Sequence, residues 1–381
     1  MPVSPRCVVR PIDSRRDLKR FIQFPYDLYQ GNLFWVPPLR VEQFEVLNPR
    51  KHPFFEHGQM QLFLAFDQTD RVVGRIAAII NGMHLKTHVD DAGFFGFFET
   101  EERYEIAEAL LEAAASWLRE QGMKIIRGPV NPSLNDPSGL LVDGFDRVPA
   151  IMMTYNLPYY EEYLHRWGFT RVMTLWAYYV HRKHVSLNRL RRGAAIVRLR
   201  NPGLSLRTLD MSRYDEEANT IREIFNDAWS DNWGFVPVTD SEFAHMAKSM
   251  KQIVDPRICF ILELNGDPVG FSVSLPDINP ALQRLPNGKL LPFGLAKLIL
   301  LTKFAQMREV RTLLMGVRKV YQGRAMDVLP VLELIEKSIP YGYPASETSW
   351  ILDDNHVMKN LLDSINAVVD KEYAILEAPL S

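Results

Sequence analysis

Leu62-Phe63-Leu64-Ala65-Phe66, a polar turn from Asp67 to Arg71, and Val72-Val73-Gly74-Arg75-Ile76-Ala77-Ala78-Ile79-Ile80 read as the two strands of a hairpin. Apolar and β-branched residues flank a short turn-forming stretch, which is the local signature of that element. The device returns in the second half as Ile258-Cys259-Phe260-Ile261-Leu262-Glu263-Leu264, Asn265-Gly266-Asp267-Pro268 and Val269-Gly270-Phe271-Ser272-Val273. The Val-Gly pair at 73–74 thus reappears at 269–270. Outward from the first hairpin come an apolar run Gly93–Phe98, a helix over Glu105–Glu120, and a strand Lys124–Arg127. A turn-rich loop (128–146), a helix over Tyr159–Trp167 stopped by Gly168, and a strand Val172–Val180 follow. Outward from the second come a strand Thr312–Val317, a helix Met326–Ser338, a strand Thr348–Leu352, a helix His356–Ile365 and a strand Glu372–Leu376. The shared order predicts internal duplication of one α/β unit. The expected units are 1–185 and 201–381, joined by a basic linker at 186–200. The stretch 182–200 holds seven Lys/Arg and no acidic residue, which suits a solvated linker or a surface for anionic lipid or nucleotide phosphate. Arg6 to Pro53, rich in aromatics and prolines, reads as irregular packed wall.

Composition narrows the function. The 381 residues are 47% hydrophobic and 24% charged, the balance of a globular protein with two cores. A formal net charge of -2 argues against binding driven by nucleic-acid phosphates. Cys7 and Cys259, the two cysteines, are too far apart in sequence for a paired-Cys zinc module, and the nine histidines show no ligand cluster, so no metal is expected. The start, Met1 to Arg6, lacks an apolar signal region, and no run of 18 apolar residues occurs. A cytoplasmic protein is expected.

Hairpin, strand, helix, strand, helix, strand is the order of the GNAT acyltransferase fold. Phe94-Phe95-Gly96-Phe97-Phe98-Glu99, Arg127-Gly128-Pro129-Val130-Asn131-Pro132-Ser133 and Gly139-Leu140-Leu141-Val142-Asp143-Gly144-Phe145-Asp146 carry a closer resemblance. So do Asn226-Asp227-Ala228-Trp229, Asn232-Trp233-Gly234-Phe235-Val236-Pro237 and Ser349-Trp350-Ile351-Leu352-Asp353-Asp354-Asn355. Over nearly its whole length the chain resembles the tandem-GNAT bacterial family that includes the bacterial ceramide synthases. That resemblance implies an α/β fold of the α+β GNAT type, with two tandem units, each a mixed, mostly antiparallel sheet flanked by helices. It also implies transfer of a fatty acyl group from acyl-CoA, or from an acylated carrier protein, to the amine of a sphingoid-like base.

In such a unit the carrier's pantetheine enters a gap where the fourth strand parts from the fifth, and the next turn and helix start meet the pyrophosphate. In the second half this turn is Gly316-Val317-Arg318-Lys319-Val320-Tyr321-Gln322-Gly323-Arg324-Ala325-Met326-Asp327. Gln322 fits the family's first loop position, but Ala325 replaces the glycine usual three residues on and Asp327 the glycine or alanine two beyond it, with Arg318, Lys319 and Arg324 supplying charge. The counterpart in the first half, Glu99-Thr100-Glu101-Glu102-Arg103-Tyr104, is acidic and without glycine, suited to capping a helix rather than holding a pyrophosphate. The first unit is therefore expected to shape the acceptor side and the second to bind the carrier.

Acyl transfer to an amine needs a proton acceptor, a polarised carbonyl and a protonated thiol. Strand backbone near Val317 is the expected polariser. Glu347, Asp354, His356 and Glu99 are the catalytic candidates, with Asp353 beside them. Each also suits a plain structural role as a cap, turn or surface residue. By resemblance Asn355 would contact the pantetheine. Leu362 stands where the family fold often has a thiolate-protonating Tyr, with Tyr321 as a substitute. The acceptor loop offers Asn226, Trp229, Asn232, Trp233 and Phe235, either as core or as the wall of a pocket for a long chain. Leu290–Phe304, apolar with sparse lysines, suits an interfacial helix, a lid or a packed helix, with contact to the inner-membrane surface among its roles. Two rival classes stay open: a small-amine N-acetyltransferase using acetyl-CoA, and a lapsed enzyme that binds acyl-CoA or lipid.

Overall fold

The computed structural model describes residues 7–285, 287–304 and 307–380; the first six residues, read above for a targeting signal, lie outside them. The chain divides into two compact units. The first comprises residues up to Thr174, Ala281–Ile299 and the chain from Glu372 on; the second comprises Leu175–Pro280 and Leu300–Lys371.

In chain order the first unit begins with β1 (Val8–Pro11), α1 (Arg15–Leu28), α2 (Arg40–Val46), β2 (Gly58–Phe66) and β3 (Val72–Asn81). It continues with α3 (Gly82–Thr87), β4 (Ala92–Thr100), α4 (Tyr104–Glu120), β5 (Ile125–Gly128), β6 (Leu140–Asp143) and α5 (Tyr159–Trp167). The strand β7 (Thr170–His181) leads into the second unit. There follow α6 (Leu187–Arg200), β8 (Leu204–Thr208), α7 (Tyr214–Ala228), α8 (Asp240–Met250), β9 (Phe260–Leu264) and β10 (Asp267–Pro276). Then come α9 (Asn279–Leu282), α10 (Gly294–Phe304), β11 (Glu309–Val317), α11 (Val328–Ser338), β12 (Ala345–Leu352), α12 (His356–Ser364) and β13 (Val368–Pro379).

Both predicted hairpins form, as β2–β3 with Phe63 opposite Ile76 and as β9–β10 with Ile261 opposite Phe271. The first sheet runs β1-β2-β3-β4-β5 and is closed by residues 372–379 of β13, with β6 also on β13. All its pairs are antiparallel except β4–β5. The second sheet runs β7-β12-β11-β10-β9-β8, parallel only at β11–β12. The strand that closes each sheet therefore comes from the other half of the sequence. Because Leu376 pairs with Gly128 and Glu347 with Tyr179, a cut at 185 does not separate the units. The predicted linker at 186–200 is also corrected. It lies in α6, whose Leu190, Ala194 and Val197 are buried against Leu329 and Leu332 of α11, while Arg191 pairs with Glu336 at 2.6 Å.

The stretch 6–53 is more regular than its prolines suggest. Ser14 caps α1 by accepting from the Asp17 amide at 3.0 Å, and Phe21 and Ile22 are fully buried on its inner face. Pro25 sits inside this helix and cannot donate to the carbonyl one turn back. The Arg75 guanidinium takes that carbonyl instead, donating to the Phe21 oxygen at 3.0 Å. In α4, Ile106, Leu110, Leu111, Ala114 and Leu118 are wholly buried. Each large side chain there contributes about 1.5–3 kcal/mol of burial.

A buried ionic chain ties the second sheet together. Arg311 of β11 donates to Ser349 Oγ at 3.0 Å and to its carbonyl at 2.9 Å. Ser349 in turn donates to Glu347 at 2.8 Å, and Lys371 faces the same carboxylate at 3.4 Å. Breaking one side of a buried pair strands the other charge, at a cost of about 3–5 kcal/mol. Lys371 also pairs with Asp370, so Glu347→Leu should lower unfolding stability by less than that in chemical denaturation, and adding Lys371→Met, which strands Asp370, should lower it further. Equal destabilisation in the single and double variants would contradict this role for the pair.

Candidate active site

The parallel strands β11 and β12 stay paired only from Glu309–Thr312 to Ala345–Thr348; β11 runs on to Val317 without that partner. A register shift between Val273 and Ser274 of β10 marks a bulge in β11 near Leu313. Bulges re-aim side chains next to functional sites. Here Thr312 and Met315 line the same half-open cleft, of about 40 Å³, walled by α11, α12 and β12. The cleft wall is mostly aliphatic, with Val331, Leu334 and Ile335 from α11 and Met358, Leu362 and Ile365 from α12.

At the end of β11 the predicted loop is held in place by the neighbouring helix. The Lys319 amide donates to Asp227 at 2.8 Å, and the Gln322 side chain donates to the Ala228 and Val317 carbonyls at 3.1 and 3.2 Å. Gly323 has φ 76° and Ala325 φ 54°. Ala325 thus has a left-handed backbone that favours glycine, at the position where the resemblance leads one to expect that residue. Arg318 donates to the Pro268 carbonyl at 3.1 Å and lies 3.7 Å from Glu223. Lys319 pairs with Asp231 at 2.6 Å, and Arg324 stacks over the Tyr321 ring at 5.2 Å. Burial raises the Asp327 carboxyl, partly offset by the amides of Asp327 and Val328 at the start of α11. Gly316 faces Ala228 and Trp229, with 3.1 Å from an added Cβ to the Ala228 methyl.

The first unit shows the same parting of strands with a different filling. There β4 and β5 pair only over Ala92–Phe94 and Ile125–Arg127. The chain's own loop then follows β4: the Val130 amide donates to the Phe95 carbonyl at 2.9 Å, and Asn131 accepts from the Phe97 amide at 2.6 Å. At Gly96 an added Cβ would lie 1.6 Å from the Val130 carbonyl oxygen, so only glycine admits the loop this close. The acidic turn beyond β4 is likewise occupied, with Glu101 paired to Arg71 and to Arg103.

The four catalytic candidates lie in unlike surroundings. Glu99 is buried on β4, where the Tyr29 and Tyr160 hydroxyls both donate to one oxygen at 2.7 Å and Arg75 stands 3.9 Å away. Burial raises its carboxyl above the ordinary range, and Arg75 and the two hydroxyls pull it back. Tyr29 stacks on Trp35 at 4.9 Å. Glu347 belongs to the ionic chain described above. Asp354 and His356 are exposed at the turn after β12, joined through the backbone at 2.8 Å. Asp353 accepts from Lys359 and from the Trp176 indole, both at 2.8 Å, and Lys359 holds its carboxyl low. Asn355 caps α12, accepting from the Met358 amide at 3.1 Å.

In the acceptor loop, Asn226 is engaged at both ends of its amide with the Val238 backbone, at 3.4 and 3.2 Å. The Trp229 indole donates to the Met315 carbonyl at 3.1 Å, and Phe225 packs against both Trp229 and Phe235. Phe235 is buried, while Asn232 and Trp233 are half-buried. Sequence reasoning missed Tyr29, Tyr160 and Lys371. The spacing of two tyrosines far from Glu99 carries no signal of their convergence.

Both sheets, with one parallel pair parting beside a bulge, have GNAT architecture. Among solved structures, the tandem GNAT protein from the clavulanic acid biosynthesis pathway superposes with a TM-score of 0.59, over 98% of this chain and 99% of that one, at 13% identity. A GCN5-related N-acetyltransferase from Sphaerobacter thermophilus gives 0.53 over 99% and 97%, at 10% identity. No family model matches the chain. Two curated relatives span nearly all of it. The bacterial ceramide synthase of Caulobacter vibrioides is 37% identical over 98% of this chain and 97% of its own length. Protein YghO of Escherichia coli is 37% identical over 98% and 96%. The chain belongs to the family of the bacterial ceramide synthases, and is an acyl-CoA-dependent N-acyltransferase of GNAT fold.

Proposed function

We propose that the protein transfers a long-chain acyl group from acyl-CoA, or from an acylated carrier protein, to the amine of a sphingoid-like base. The parting of β11 and β12 leaves a place for an acyl carrier whatever the length of its chain. The observation that supports a long-chain donor and a sphingoid-like acceptor most is the relative named a bacterial ceramide synthase, 37% identical over 98% of this chain.

The carrier's pantetheine would lie along β11 beyond Thr312, with its pyrophosphate at Gly316–Ala325, where Arg318 and Arg324 bring positive charge, Gly323 leaves room and Gln322 braces the loop. Backbone near Val317 would polarise the thioester carbonyl. The amine nitrogen attacks the carbonyl carbon, the carbon–sulfur bond breaks, and an amide and a free thiol result once one proton has moved from nitrogen to sulfur. Among the proton acceptors we favour Glu99, the one candidate whose surroundings lift a carboxyl upward, as a general base requires. Asp354 and His356 are exposed alternates; Glu347 is assigned to the buried ionic chain and Asn355 to capping. Trp229 and Phe235 form the inner wall of the acceptor loop, Asn226 braces it, and Asn232 and Trp233 are its solvent-facing part.

Thiol release should require palmitoyl-CoA and a sphingoid base together, and should not occur with acetyl-CoA and a soluble polyamine. In Glu99→Gln an amide oxygen still accepts from the two tyrosines and Arg75 keeps the Phe21 carbonyl, at the cost of its nearby carboxylate; the folded variant should have kcat lower by about 10²–10⁴. Release with acetyl-CoA and polyamine alone would overturn the lipid reading, and unchanged kcat in the folded Glu99 variant would remove it as base. Gln322→Ala with Arg324→Ala should raise KM for acyl-CoA about tenfold or more, since phosphate contacts to charged groups contribute about 1.5–3 kcal/mol each. An unaltered KM would move the carrier site elsewhere.

A lipid acceptor also suits the segment around α10. Leu291 and Phe293 are 78% and 79% exposed, and Leu295 and Ile299 are exposed too. No Asp or Glu occurs between Asn287 and Phe304, while Lys289 and Lys297 lie among the apolar residues. No described helix is long and apolar enough to cross a membrane, so the fitting partner is the surface of an anionic bilayer. Phosphatidylglycerol-containing vesicles should co-sediment the protein, and Leu291→Asp with Phe293→Asp should abolish this. Equal sedimentation of the folded double variant would contradict the assignment.

A further inference from the structure

We infer that the protein also draws its acyl group from an acidic carrier protein, which docks on the exposed stripe of α6 while its acyl-bearing arm enters the gap beside β11. This rests on the acyl-transfer reading above and adds a protein partner and the surface that receives it. The carbon–sulfur bond that breaks is then that of the carrier's own thioester, and the arm leaves as a free thiol. The stripe follows from spacing. From Arg189 the chain steps by threes and fours to Arg192, Ile196, Leu199 and Arg200, so these residues share one side of the helix. All five are exposed, Leu199 by 82%. Among the described residues no carboxylate pairs with these three arginines; Arg191, on the other flank, is taken by Glu336. The whole chain carries a net charge of -2, so the stripe is a local excess of positive charge and not a share of a basic protein.

The stripe borders the loop assigned to the donor. Gly193, one turn from both Arg189 and Ile196 on that side, faces Val328 at the start of α11, where a built Cβ would lie 3.7 Å from the valine methyl. The end of α6 leads to the same end of the sheet as the loop after β11. The Gly203 carbonyl accepts from the Asn265 amide at 3.1 Å, β8 opens at Leu204 opposite Leu264, and Arg318 donates to the Pro268 carbonyl beside that turn. A carrier protein seated on α6 thus stands next to the loop past which its arm would run.

The chemistry favours a protein over a membrane. A helix lying in a bilayer surface buries its apolar face there, but Leu190, Ala194 and Val197 already face the core of the second unit. What remains outside is arginine with two aliphatic side chains, and α6 holds no lysine. Arginine is enriched and lysine depleted where proteins meet, and its planar fork matches carboxylates two by two.

The test compares palmitoyl-loaded acyl carrier protein with palmitoyl-CoA in Arg189→Glu combined with Arg192→Glu. KM for the loaded carrier protein should rise about tenfold or more, and in the wild type it should rise with ionic strength, as docking of opposite charges requires. KM for palmitoyl-CoA should stay as it is. Leu199→Asp should act in the same direction and serves if the double variant does not fold. An equal rise for both donors would overturn the inference and give the arginines to the phosphates of CoA. Unchanged KM for the loaded carrier in the folded variant, with binding to phosphatidylglycerol vesicles lost, would overturn it in favour of a membrane. Turnover of palmitoyl-CoA without any of the loaded carrier would overturn it and leave the acyl-transfer reading standing. Should the wild type release thiol from neither donor, that reading fails, and calorimetry with carrier protein lacking its arm decides the surface alone. Salt-sensitive binding that is lost in the double variant would support it; no binding would overturn it.

Discussion

The parting of two parallel strands is the constraint on which the rest of the second unit depends. β11 and β12 share four residue pairs, after which β11 keeps only its antiparallel neighbour β10. A strand left half-paired must find partners for its backbone polar groups. The same problem is solved in opposite ways within one chain. In the first unit the loop after β5 turns along β4, held by Val130 and Asn131 and admitted by Gly96. Among the described residues of the second unit, no strand pairs with β11 along the corresponding path. On the proposed function, that path is left to the donor.

What keeps the second gap open is the anchoring on either side of it. The ionic chain from Arg311 through Ser349 and Glu347 to Lys371 fixes the paired ends of the strands. The Trp229 indole on the Met315 carbonyl, with Asp227 and Gln322 bracing the following loop, fixes the free end. A residue that reads from sequence as an acid–base group can thus matter for holding the geometry of a site. Burial with a lysine partner is the mark of Glu347, whereas burial that lifts the carboxyl upward against the pull of Arg75 and two donating hydroxyls is the mark of Glu99.

The hairpins, the helix from Tyr104 and the strand–helix alternation were legible in the sequence because hydrophobic periodicity is local. The exchange of closing strands was not. β7 and β13 have similar apolar patterns, and nothing in either one says which sheet it joins; register partners such as Gly128 for Leu376 are decided by tertiary packing. The helix α1 was hidden by Pro25, whose cost is offset by Arg75 from a distant strand, and α6 was hidden by its arginines, which mask three buried apolar positions. Of the candidate site, the loop after β11 was legible by its place after a strand, and the contrast between the two turns by their charge. The cleft beside it was not, because tertiary packing alone brings its wall of strands and helices together.

Hydrogen–deuterium exchange with and without a non-hydrolysable palmitoyl-CoA analogue locates the donor on the chain. Bound analogue should protect β11, the loop 318–327 and α12, with no change in β4 or in the loop 128–131. Protection centred on β4 and that loop, with β11 and α12 unaffected, would contradict this placement.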